Sequence, residues 1–147
     1  MTSSANDLKR SSIAQKGFTL IELMIVVAIL GVILSITFAS YQRYSLKTKR
    51  TDMMTEMQNI ASQIESNKLV KGNYSNDLIT DLGGNYPAQG KTLYKVTFTP
   101  DPLTSDWTII ATPQANGMMA DDGVLSLNYL NNKCRDAVCS RGDEWNQ

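Results

Sequence analysis

A run of 22 residues with a single charge constrains this 147-residue chain more than any other feature. The run extends from residue 18 to residue 39, and its one charged side chain is Glu22, at the fifth position. About 20 such residues in a helix span the roughly 30 Å hydrocarbon core of a membrane. A helix packed in a soluble domain would show a polar face, which this run lacks. The run therefore predicts a membrane-spanning helix, and it raises the question of why that helix keeps an acid.

A cleaved secretory signal is the alternative explanation of the run. The basic residues Lys9, Arg10 and Lys16 precede it, and Thr-Phe-Ala at 37–39 is a small-x-small cleavage site. However, the apolar part of a signal peptide is usually only about 7–15 residues long. An acid at the fifth position is also unfavourable there. The membrane helix is therefore the preferred interpretation.

Composition excludes several classes of function. The formal net charge is zero, so no strong field favours nucleic acid. The chain has no histidine, which removes the commonest metal ligand and the commonest general base at neutral pH. It also has no phosphate-binding glycine loop and no carboxylate pair in a predictable cleft. We therefore expect neither an enzyme nor a cofactor.

Helical periodicity continues beyond the apolar run. No proline or glycine occurs between Val32 and Lys71, which predicts one helix from Phe18 to about Lys71, roughly 80 Å long. Apolar residues recur at three- and four-residue spacing on one stripe of its second half. We expect this stripe to pack on a domain core, with a partner-binding surface as the alternative. The stripe consists of Met53, Met57, Ile60, Ala61 and Ile64.

Basic residues cluster just after the apolar run, at Arg43, Lys47, Lys49 and Arg50. A DNA-binding patch is one interpretation. Because the residues directly follow a predicted span, exposure to solvent or to lipid headgroups is preferred. Basic residues lie on both sides of the span, so counting charges does not decide its orientation.

The second half of the chain shows strand patterns. Tyr94, Val96 and Phe98 alternate with polar residues and should face a core. The segments "WTIIATP" and "VLSLNYL" follow at hairpin spacing. They predict an antiparallel meander of three strands, and a short fourth strand near the C-terminus lacks support. The amphipathic half of the helix and one face of this sheet would cover each other, giving an α+β fold.

The tail contains two cysteines, Cys134 and Cys139, in a C-x4-C spacing. A zinc site is not expected because no other cysteine or histidine is available, and the redox motif C-x-x-C is absent. A disulfide that closes a small loop, contributing about 2 kcal/mol, is preferred over two free thiols. It would place the C-terminal part in an oxidising compartment. Asp121, Asp122 and Asp143 lack EF-hand spacing and are interpreted as turn acids rather than a calcium site.

The segment "KGFTLIELMIVVAILGVILSI" resembles the signature of type IV prepilins and pseudopilins. It has a basic leader, a glycine, a phenylalanine, an acid at the fifth residue after that glycine, and an unbroken apolar helix. The resemblance covers the whole chain and is strongest over 16–50, while "YSLKTKRTDMMTEM" and "KGNYS" resemble PilE-like minor pilins. It implies the type IV pilin fold: a long N-terminal helix with a transmembrane first half and an amphipathic second half, a small antiparallel sheet, and a C-terminal disulfide loop.

The resemblance also implies roles for individual residues. Gly17 would be the last leader residue before the prepilin peptidase cut, and Phe18 would become the N-methylated first residue. A lone carboxylate in hydrocarbon costs several kcal/mol or is protonated. Glu22 could instead pair with the α-amino group of Phe18 on a neighbouring subunit. The implied organisation is a leader at 1–17, a transmembrane and assembly segment at 18–39, and a periplasmic or extracellular head at 40–147.

The function implied by the resemblance is that of a structural subunit of a bacterial type IV pilus. The PilE-like details favour a minor pilin in pilus initiation and assembly, and thereby in twitching motility, adhesion or DNA uptake. The alternatives are a major pilin, a type II secretion pseudopilin, and a stand-alone membrane-anchored binding module. The implied location is the inner membrane, with the C-terminus in the periplasm, followed by the extracellular pilus.

The implied partners are major and minor pilin subunits in a helical fibre, the prepilin peptidase, the inner-membrane assembly platform and membrane lipid. Direct binding of nucleic acid is not expected. The chain departs from the family pattern at two points. Ala39 stands where many such pilins have proline, which predicts a straighter helix. Both cysteines follow the last clear strand, which predicts a smaller cysteine-bounded loop.

Overall fold

The computed structural model describes residues 17–140. It contains one long helix, α1 (Leu20–Lys71), followed by a short 3-10 helix (Asn76–Leu78) and six strands. The chain divides into two compact units, Met1–Ala39 and Ser40–Gln147. The first unit contains the apolar part of α1, and the second contains the rest of the helix together with the sheet.

The ends of α1 are set by local hydrogen bonds. Thr19 precedes the helix, and its Oγ1 accepts a hydrogen bond from the backbone N–H of Glu22 over 3.3 Å. At the other end Gly72 has a φ of 83° and donates its N–H to the carbonyl of Lys68 over 2.8 Å. This left-handed cap stops the helix where the sequence predicts. The N-terminal boundary lies two residues after the predicted start at Phe18 because Thr19 acts as the N-cap.

The six strands form one antiparallel sheet whose spatial order is the order of the strands in the chain. Every strand therefore pairs with its neighbours in the sequence. The strands are β1 (Gly84–Tyr86), β2 (Tyr94–Thr99), β3 (Thr108–Pro113), β4 (Leu125–Asn128), β5 (Lys133–Arg135) and β6 (Val138–Ser140).

The core of the second unit lies between the amphipathic part of α1 and one face of the sheet. The predicted stripe is buried as expected, except that Ala61 is only partly covered. Tyr94 and Val96 face the core as predicted, and Phe98 packs against its margin. Inward-facing residues of β3 and β4 also belong to the cluster: Ile109, Ala111, Leu125 and Leu127. The predicted α+β fold, with the helix covering the sheet, is confirmed.

The prediction of three strands is wrong, because the sheet has six. β1, β5 and β6 have three residues each, which is too short for an alternating pattern. The β4 prediction also runs too far. The strand ends at Asn128, and Tyr129 lies in the following turn with 44% of its side-chain surface exposed.

Candidate functional site

The apolar part of α1 has no cover within its own unit. Every side chain from residue 17 to residue 38 is exposed, including Phe18 at 79% and Leu20 at 78%. Large exposed apolar surfaces of this kind mark membrane or protein contacts. By length and composition α1 is able to cross a membrane.

Polar side chains inside this apolar segment are of two kinds: hydroxyls bonded to the helix backbone, and one exposed carboxylate. The hydroxyls of Ser35 and Thr37 donate to helix carbonyls, Ser35 to Val32 over 2.7 Å and Thr37 to Ile33 over 3.0 Å. Such bonds satisfy a hydroxyl in a lipid environment. Glu22 is different, because its carboxylate is exposed in the first turn of α1. The next basic residue in the sequence is Arg43, after the apolar run has ended.

The position of Glu22 has a local component that the sequence analysis missed. Thr19 and Glu22 have the S/T-x-x-E spacing of a capping box, and the Thr19 half of that box is formed. A negative charge in the first turn also complements the helix dipole. The capping bond uses the backbone N–H of Glu22 and not its carboxylate. The dipole is therefore the one local effect that acts on the charge of Glu22.

Gly17 and Phe18, the predicted cleavage residues, precede the helix and are both exposed. They lie directly before the capping residue Thr19. The residues that precede them, including Lys9, Arg10 and Lys16, lie outside the described residues. Of the predicted leader at 1–17, the structure describes Gly17 alone.

A buried polar cluster joins α1 to the sheet and to the β3–β4 connection. The Nε of Arg50 donates to Oδ1 of Asp122 over 2.8 Å, and its Nη2 forms an ion pair with the same oxygen. The two side chains are 11% and 3% exposed. On the other side, the hydroxyl of Tyr94 donates to Oδ2 of Asp122 over 2.5 Å. Asp122 therefore receives hydrogen bonds from both a helix and a strand.

The strand β5 holds the same connection from its other end. The Nε of Arg135 donates to the backbone carbonyl of Asp122 over 2.9 Å. Asp136 accepts the backbone N–H of Val124 with its Oδ1 over 2.8 Å and donates its own N–H to the carbonyl of Val124, also over 2.8 Å. The turn around Gly123 is thereby clamped by side chain and backbone together.

This cluster fixes the protonation state of Tyr94. Burial raises the pKa of the Tyr94 hydroxyl most, and its hydrogen bond to Asp122 and the negative charge of Asp122 raise the pKa further. The positive charges of Arg50 and Arg135 lower it in part. The hydroxyl therefore stays protonated and acts as a hydrogen-bond donor.

Sequence reasoning missed the cluster. It grouped Arg50 with the solvent-facing cations, which is wrong because its guanidinium pairs with Asp122. It placed Asp122 in a turn, where the structure also has it, but did not predict that its side chain is buried. A partial signal was present. Tyr94 occupies a predicted core position, and a buried tyrosine hydroxyl usually finds a partner. The identity of that partner could not be read from the sequence, because Asp122 is 28 residues away from Tyr94.

A second polar cluster lies near the C-terminal part of α1. Glu65 accepts the indole N–H of Trp107 with its Oε1 over 2.9 Å, and the hydroxyl of Tyr74 donates to its carboxylate over 3.2 Å. The Nζ of Lys68 lies 5.7 Å from the centroid of the Tyr74 ring. Glu65 and Lys68 are three residues apart on α1, and each contacts an aromatic side chain. Burial, followed by the charge of Glu65, raises the pKa of Tyr74.

The predicted disulfide is present. Cys134 and Cys139 face each other across β5 and β6 and are bonded. The bridge closes a small hairpin at the edge of the sheet, as the C-x4-C spacing predicts.

Among residues 17–140, no group of three potential ligands could hold a metal ion. Of the three acids that were considered for a calcium site, Asp122 is bonded to Arg50 and Tyr94. Asp143 lies outside the described residues. Three shallow depressions on the head have volumes of ≈ 200, ≈ 200 and ≈ 320 Å³. These volumes lie at or below the lower end of those of small-molecule sites, about 300 Å³. The largest depression is polar and is lined by Asn85, Lys91, Thr92, Gln114, Ala115, Asn116 and Gly117.

Comparison with known proteins gives two family matches. The family model described as "Type IV minor pilin ComP, DNA uptake sequence receptor" matches residues 39–136. The model described as "Prokaryotic N-terminal methylation motif" matches residues 13–38, the range that contains Gly17, Phe18 and Glu22. Together the two matches follow one another along the chain from residue 13 to residue 136.

Individual relatives match over the N-terminal third. A "Fimbrial protein" of Pseudomonas aeruginosa is 49% identical over 53 residues, 36% of this chain and 34% of that protein. The "Type IV major fimbrial protein FimA" of Dichelobacter nodosus is 46% identical over 52 residues, 35% of this chain and 33% of that protein. The match thus spans about a third of the length of these curated relatives. No solved structure matches the chain significantly.

An apolar helix with an acid in its first turn, a methylation motif and a helix-covered antiparallel sheet with a C-terminal disulfide are the features of a type IV pilin. The chain belongs to the family of type IV minor pilins whose model covers most of its head. The predicted resemblance is therefore confirmed. Proteins of this class are structural subunits of the pilus.

Proposed function

We propose that this chain is a minor subunit of a bacterial type IV pilus that takes part in pilus initiation and assembly. Before assembly the segment 18–39 spans the inner membrane, and the head lies in the periplasm. During assembly the chain moves into the fibre and contacts other pilins. One observation carries this proposal: the acid Glu22 is retained in the first turn of an exposed apolar helix.

Processing explains why the acid is retained. Cleavage after Gly17 by a prepilin peptidase would remove the leader and create an α-ammonium group on Phe18. An unpaired ammonium group or carboxylate in hydrocarbon raises the free energy. Pairing of the Phe18 ammonium group with Glu22 of a neighbouring subunit reduces this penalty for both groups. Glu22 is in the first turn of α1 and close in sequence to the new N-terminus, which suits a staggered contact between adjacent helices.

The test separates the charge of Glu22 from its polar side chain, which has the spacing of a capping-box residue. Glu22→Gln retains a side chain that can complete a capping box but removes the negative charge. Glu22→Val removes both. Thr37→Val is the matched control, because it also removes a polar group from the apolar helix. We expect all three variants to insert and to be cleaved. Thr37→Val should enter sheared pili normally, and both Glu22 variants should be depleted from them.

The readouts are intact mass and the amount of the chain in the sheared fibre fraction. A mature chain that begins at Phe18 with one extra methyl group supports the proposal. Normal incorporation of Glu22→Gln would contradict pairing of a charged Glu22 with the α-ammonium group of Phe18. A chain that begins at Met1 would favour the stand-alone membrane module, and one that begins near Ser40 would favour a signal peptide.

The kind of fibre subunit is a separate question. The relatives that match the N-terminal third include proteins named as major fimbrial subunits, whereas the family model that matches the head is that of a minor pilin. Quantitative mass spectrometry of sheared pili distinguishes these cases. A minor pilin should be a small fraction of total subunits, and a chain that dominates the fibre would be a major pilin. Absence from surface pili with retention in a secretion complex would indicate a pseudopilin.

Recognition of DNA during uptake is a second candidate function, and the description of the matching head family favours it. The polar depression that includes Lys91 offers amides and one cation, and the exposed Lys95 lies on the neighbouring strand β2. Amides and lysines are suitable contacts for bases and phosphates. Beyond residue 50, however, seven basic residues face twelve acidic ones, so the electrostatic attraction of the head for DNA would be local.

The DNA proposal is tested with the full chain in detergent micelles and a fluorescent duplex at low salt. Lys91→Gln with Lys95→Gln should weaken binding, and Lys68→Gln with Lys71→Gln is the charge-matched control. Each lost phosphate contact should also reduce the salt dependence by about one unit. Absence of duplex binding by the wild-type chain at about 50 mM salt would contradict this function and leave the pilus-subunit proposal intact.

A further inference from the structure

The part of α1 directly after the apolar run carries aromatic and basic side chains that extend into solvent. Tyr41 and Tyr44 are each 71% exposed, and Arg43, Lys47 and Lys49 are exposed as well. These five residues are called the collar below. The family comparisons assign no role to them. They also take no part in the polar clusters of the head.

The collar surrounds the helix instead of forming one face. With about 100° of rotation per residue, Lys49 lies roughly 80° from Tyr41 in one direction and Tyr44 roughly 60° from it in the other. Arg43 and Lys47 are within about 40° of each other on the opposite side. A protein or duplex that docks from one direction would contact only part of this set. A planar layer crossed by the helix would contact all of it.

The height of the collar also fits such a layer. Tyr41 and Lys49 are separated by about 12 Å of helix rise. The polar headgroup region on each side of a bilayer is about 5–8 Å thick, and long basic side chains extend further along the helix to reach it. Tyrosines are enriched at this interface, and lysine and arginine bind its phosphates.

Arg50 provides an internal comparison. It is on the same helix, one residue after Lys49, but its guanidinium is directed into the head, where it pairs with Asp122. Over the part of the chain that the structure describes, no ion pair involves Arg43, Lys47 or Lys49. The collar therefore keeps three cations available to a ligand outside the chain.

From these observations we infer that the collar binds the phosphates of anionic phospholipids at the outer surface of the membrane that α1 crosses. The inference rests on the proposed membrane insertion of segment 18–39. The inference goes beyond membrane insertion, because it assigns a class of lipid and the five residues that contact it. Before assembly, the collar sets the depth at which the helix sits. Extraction of the subunit into a fibre requires these phosphate contacts to be released.

The test uses the full chain in nanodiscs made from equal amounts of phosphatidylglycerol and phosphatidylcholine. After transfer to a mild detergent, mass spectrometry gives the ratio of the two lipids that copurify. The variant Arg43→Gln/Lys47→Gln is compared with the charge-matched control Lys68→Gln/Lys71→Gln. A cation near a surface contributes about 1 kcal/mol, or about fivefold in affinity. We expect phosphatidylglycerol to be enriched with the wild-type chain and the control, and this enrichment to fall at least about fivefold in the collar variant.

The other possible outcomes contradict the inference, and each identifies a different reason for its failure. Equal enrichment in the wild-type chain and the collar variant, or an equal fall in the control, shows that the collar does not select anionic lipid. If the wild-type chain does not insert into nanodiscs, the membrane segment itself is wrong, and the inference fails with it. Nanodiscs of phosphatidylcholine alone are also mixed with fluorescent duplex DNA. Duplex binding that is lost only in the collar variant, without a change in lipid ratio, would make the collar a nucleic-acid site.

Discussion

Tyr94 and Asp122 are 28 residues apart in sequence, and their side chains are joined by a 2.5 Å hydrogen bond inside the head. Tyr94 is fully buried on β2, and Asp122 is in the connection between β3 and β4. Because Asp122 also pairs with Arg50 on α1, this one carboxylate holds a strand, a connection and the helix together. The stability of the head should therefore respond to changes at these three side chains much more than to changes at exposed residues of the same types.

Tyr94→Phe should lower the free energy of unfolding by about 2 kcal/mol. The change retains the ring in the core but removes one donor from a buried carboxylate, and hydrogen bonds to charged groups are worth about 1.5–3 kcal/mol. Urea unfolding of the full chain in detergent micelles, followed by tryptophan fluorescence, measures the loss. Tyr129→Phe is the control, since Tyr129 is exposed in a turn, and it should change stability by less than about 0.5 kcal/mol. Equal effects at the two tyrosines would contradict the buried network.

The contribution of Tyr94 should also depend on alkaline pH. The fold raises the pKa of Tyr94 above its value of about 10 in an unfolded chain. Stability from the protonated hydroxyl is therefore fully present below about pH 10, and it decreases as the unfolded tyrosine ionises while the folded one does not. The difference in unfolding free energy between the wild-type chain and Tyr94→Phe should be constant from about pH 7 to 9. Above about pH 10 it should shrink by up to about 1.4 kcal/mol per pH unit. A difference that stays constant to about pH 11 would show that the fold does not perturb this hydroxyl.

Arg50→Met should be more damaging than the same change at Arg43. Removing one partner of a buried ion pair leaves an uncompensated charge and costs about 3–5 kcal/mol. Arg43 is on the same helix but exposed, so Arg43→Met should cost less than about 0.5 kcal/mol. Chemical unfolding of both variants under identical conditions tests this contrast. Similar stability of the two variants would contradict a buried ion pair and would mean that Arg50 faces solvent, as its sequence position predicts.

Gly123→Ala should destabilise the head more than Gly90→Ala. Both glycines have positive φ, 86° and 89°, so both substitutions strain the backbone by about 1 kcal/mol. At Gly90 the new methyl group would lie in open space, whereas at Gly123 it would overlap the carboxylate of Asp136. Asp136 would have to move and give up its bond to Val124. The expected extra loss for Gly123→Ala is about 1–2 kcal/mol, which thermal unfolding of the two variants would measure. Equal melting temperatures would contradict the clamp at this turn.

Replacing both cysteines, Cys134→Ser with Cys139→Ser, should weaken only the edge of the sheet. The disulfide closes a short loop and should contribute about 2 kcal/mol. Amide hydrogen exchange should become faster in β5 and β6 and remain slow in β2 and β3. Chemical reduction of the wild-type chain should reproduce the pattern. Loss of all cooperative unfolding in the double variant would show that the bridge supports the whole head.

Periodic signals in the sequence account for the parts of the fold that could be predicted. The methionine and isoleucine stripe from Met53 to Ile64 repeats over several helical turns, and Tyr94, Val96 and Phe98 alternate cleanly, so α1 and β2 follow from pattern alone. β1 could not be found in this way. It begins with Gly84 and Asn85, residues typical of turns, and it is a strand only because β2 offers it hydrogen bonds.

Some of the candidate sites could be predicted from local sequence, and others depend on contacts that only the fold creates. Glu22 and the cysteine pair stand out because each is unusual for its local surroundings, a charge in an apolar run and two thiols in a polar tail. The Arg50–Asp122 pair does not stand out, since an arginine among cations and an aspartate in a turn are both ordinary. Its significance arises only when the sheet brings the β3–β4 connection against α1, which is tertiary information.

The strand order of the sheet has a consequence for how the chain reaches its native state. Every strand pairs with the next one in sequence, so all ladder contacts are local and close short loops at low entropic cost. Topologies of this kind, with low contact order, fold faster than those that pair distant segments. The strands can therefore pair one after another from either end of the sheet, and no segment has to pass through a loop. The bond between Arg50 and Asp122, 72 residues apart, is a non-local contact that joins the helix to the β3–β4 connection. A subunit that is tethered to a bilayer at its N-terminus can thus finish folding locally, and this limits the time during which its strand edges are open to aggregation.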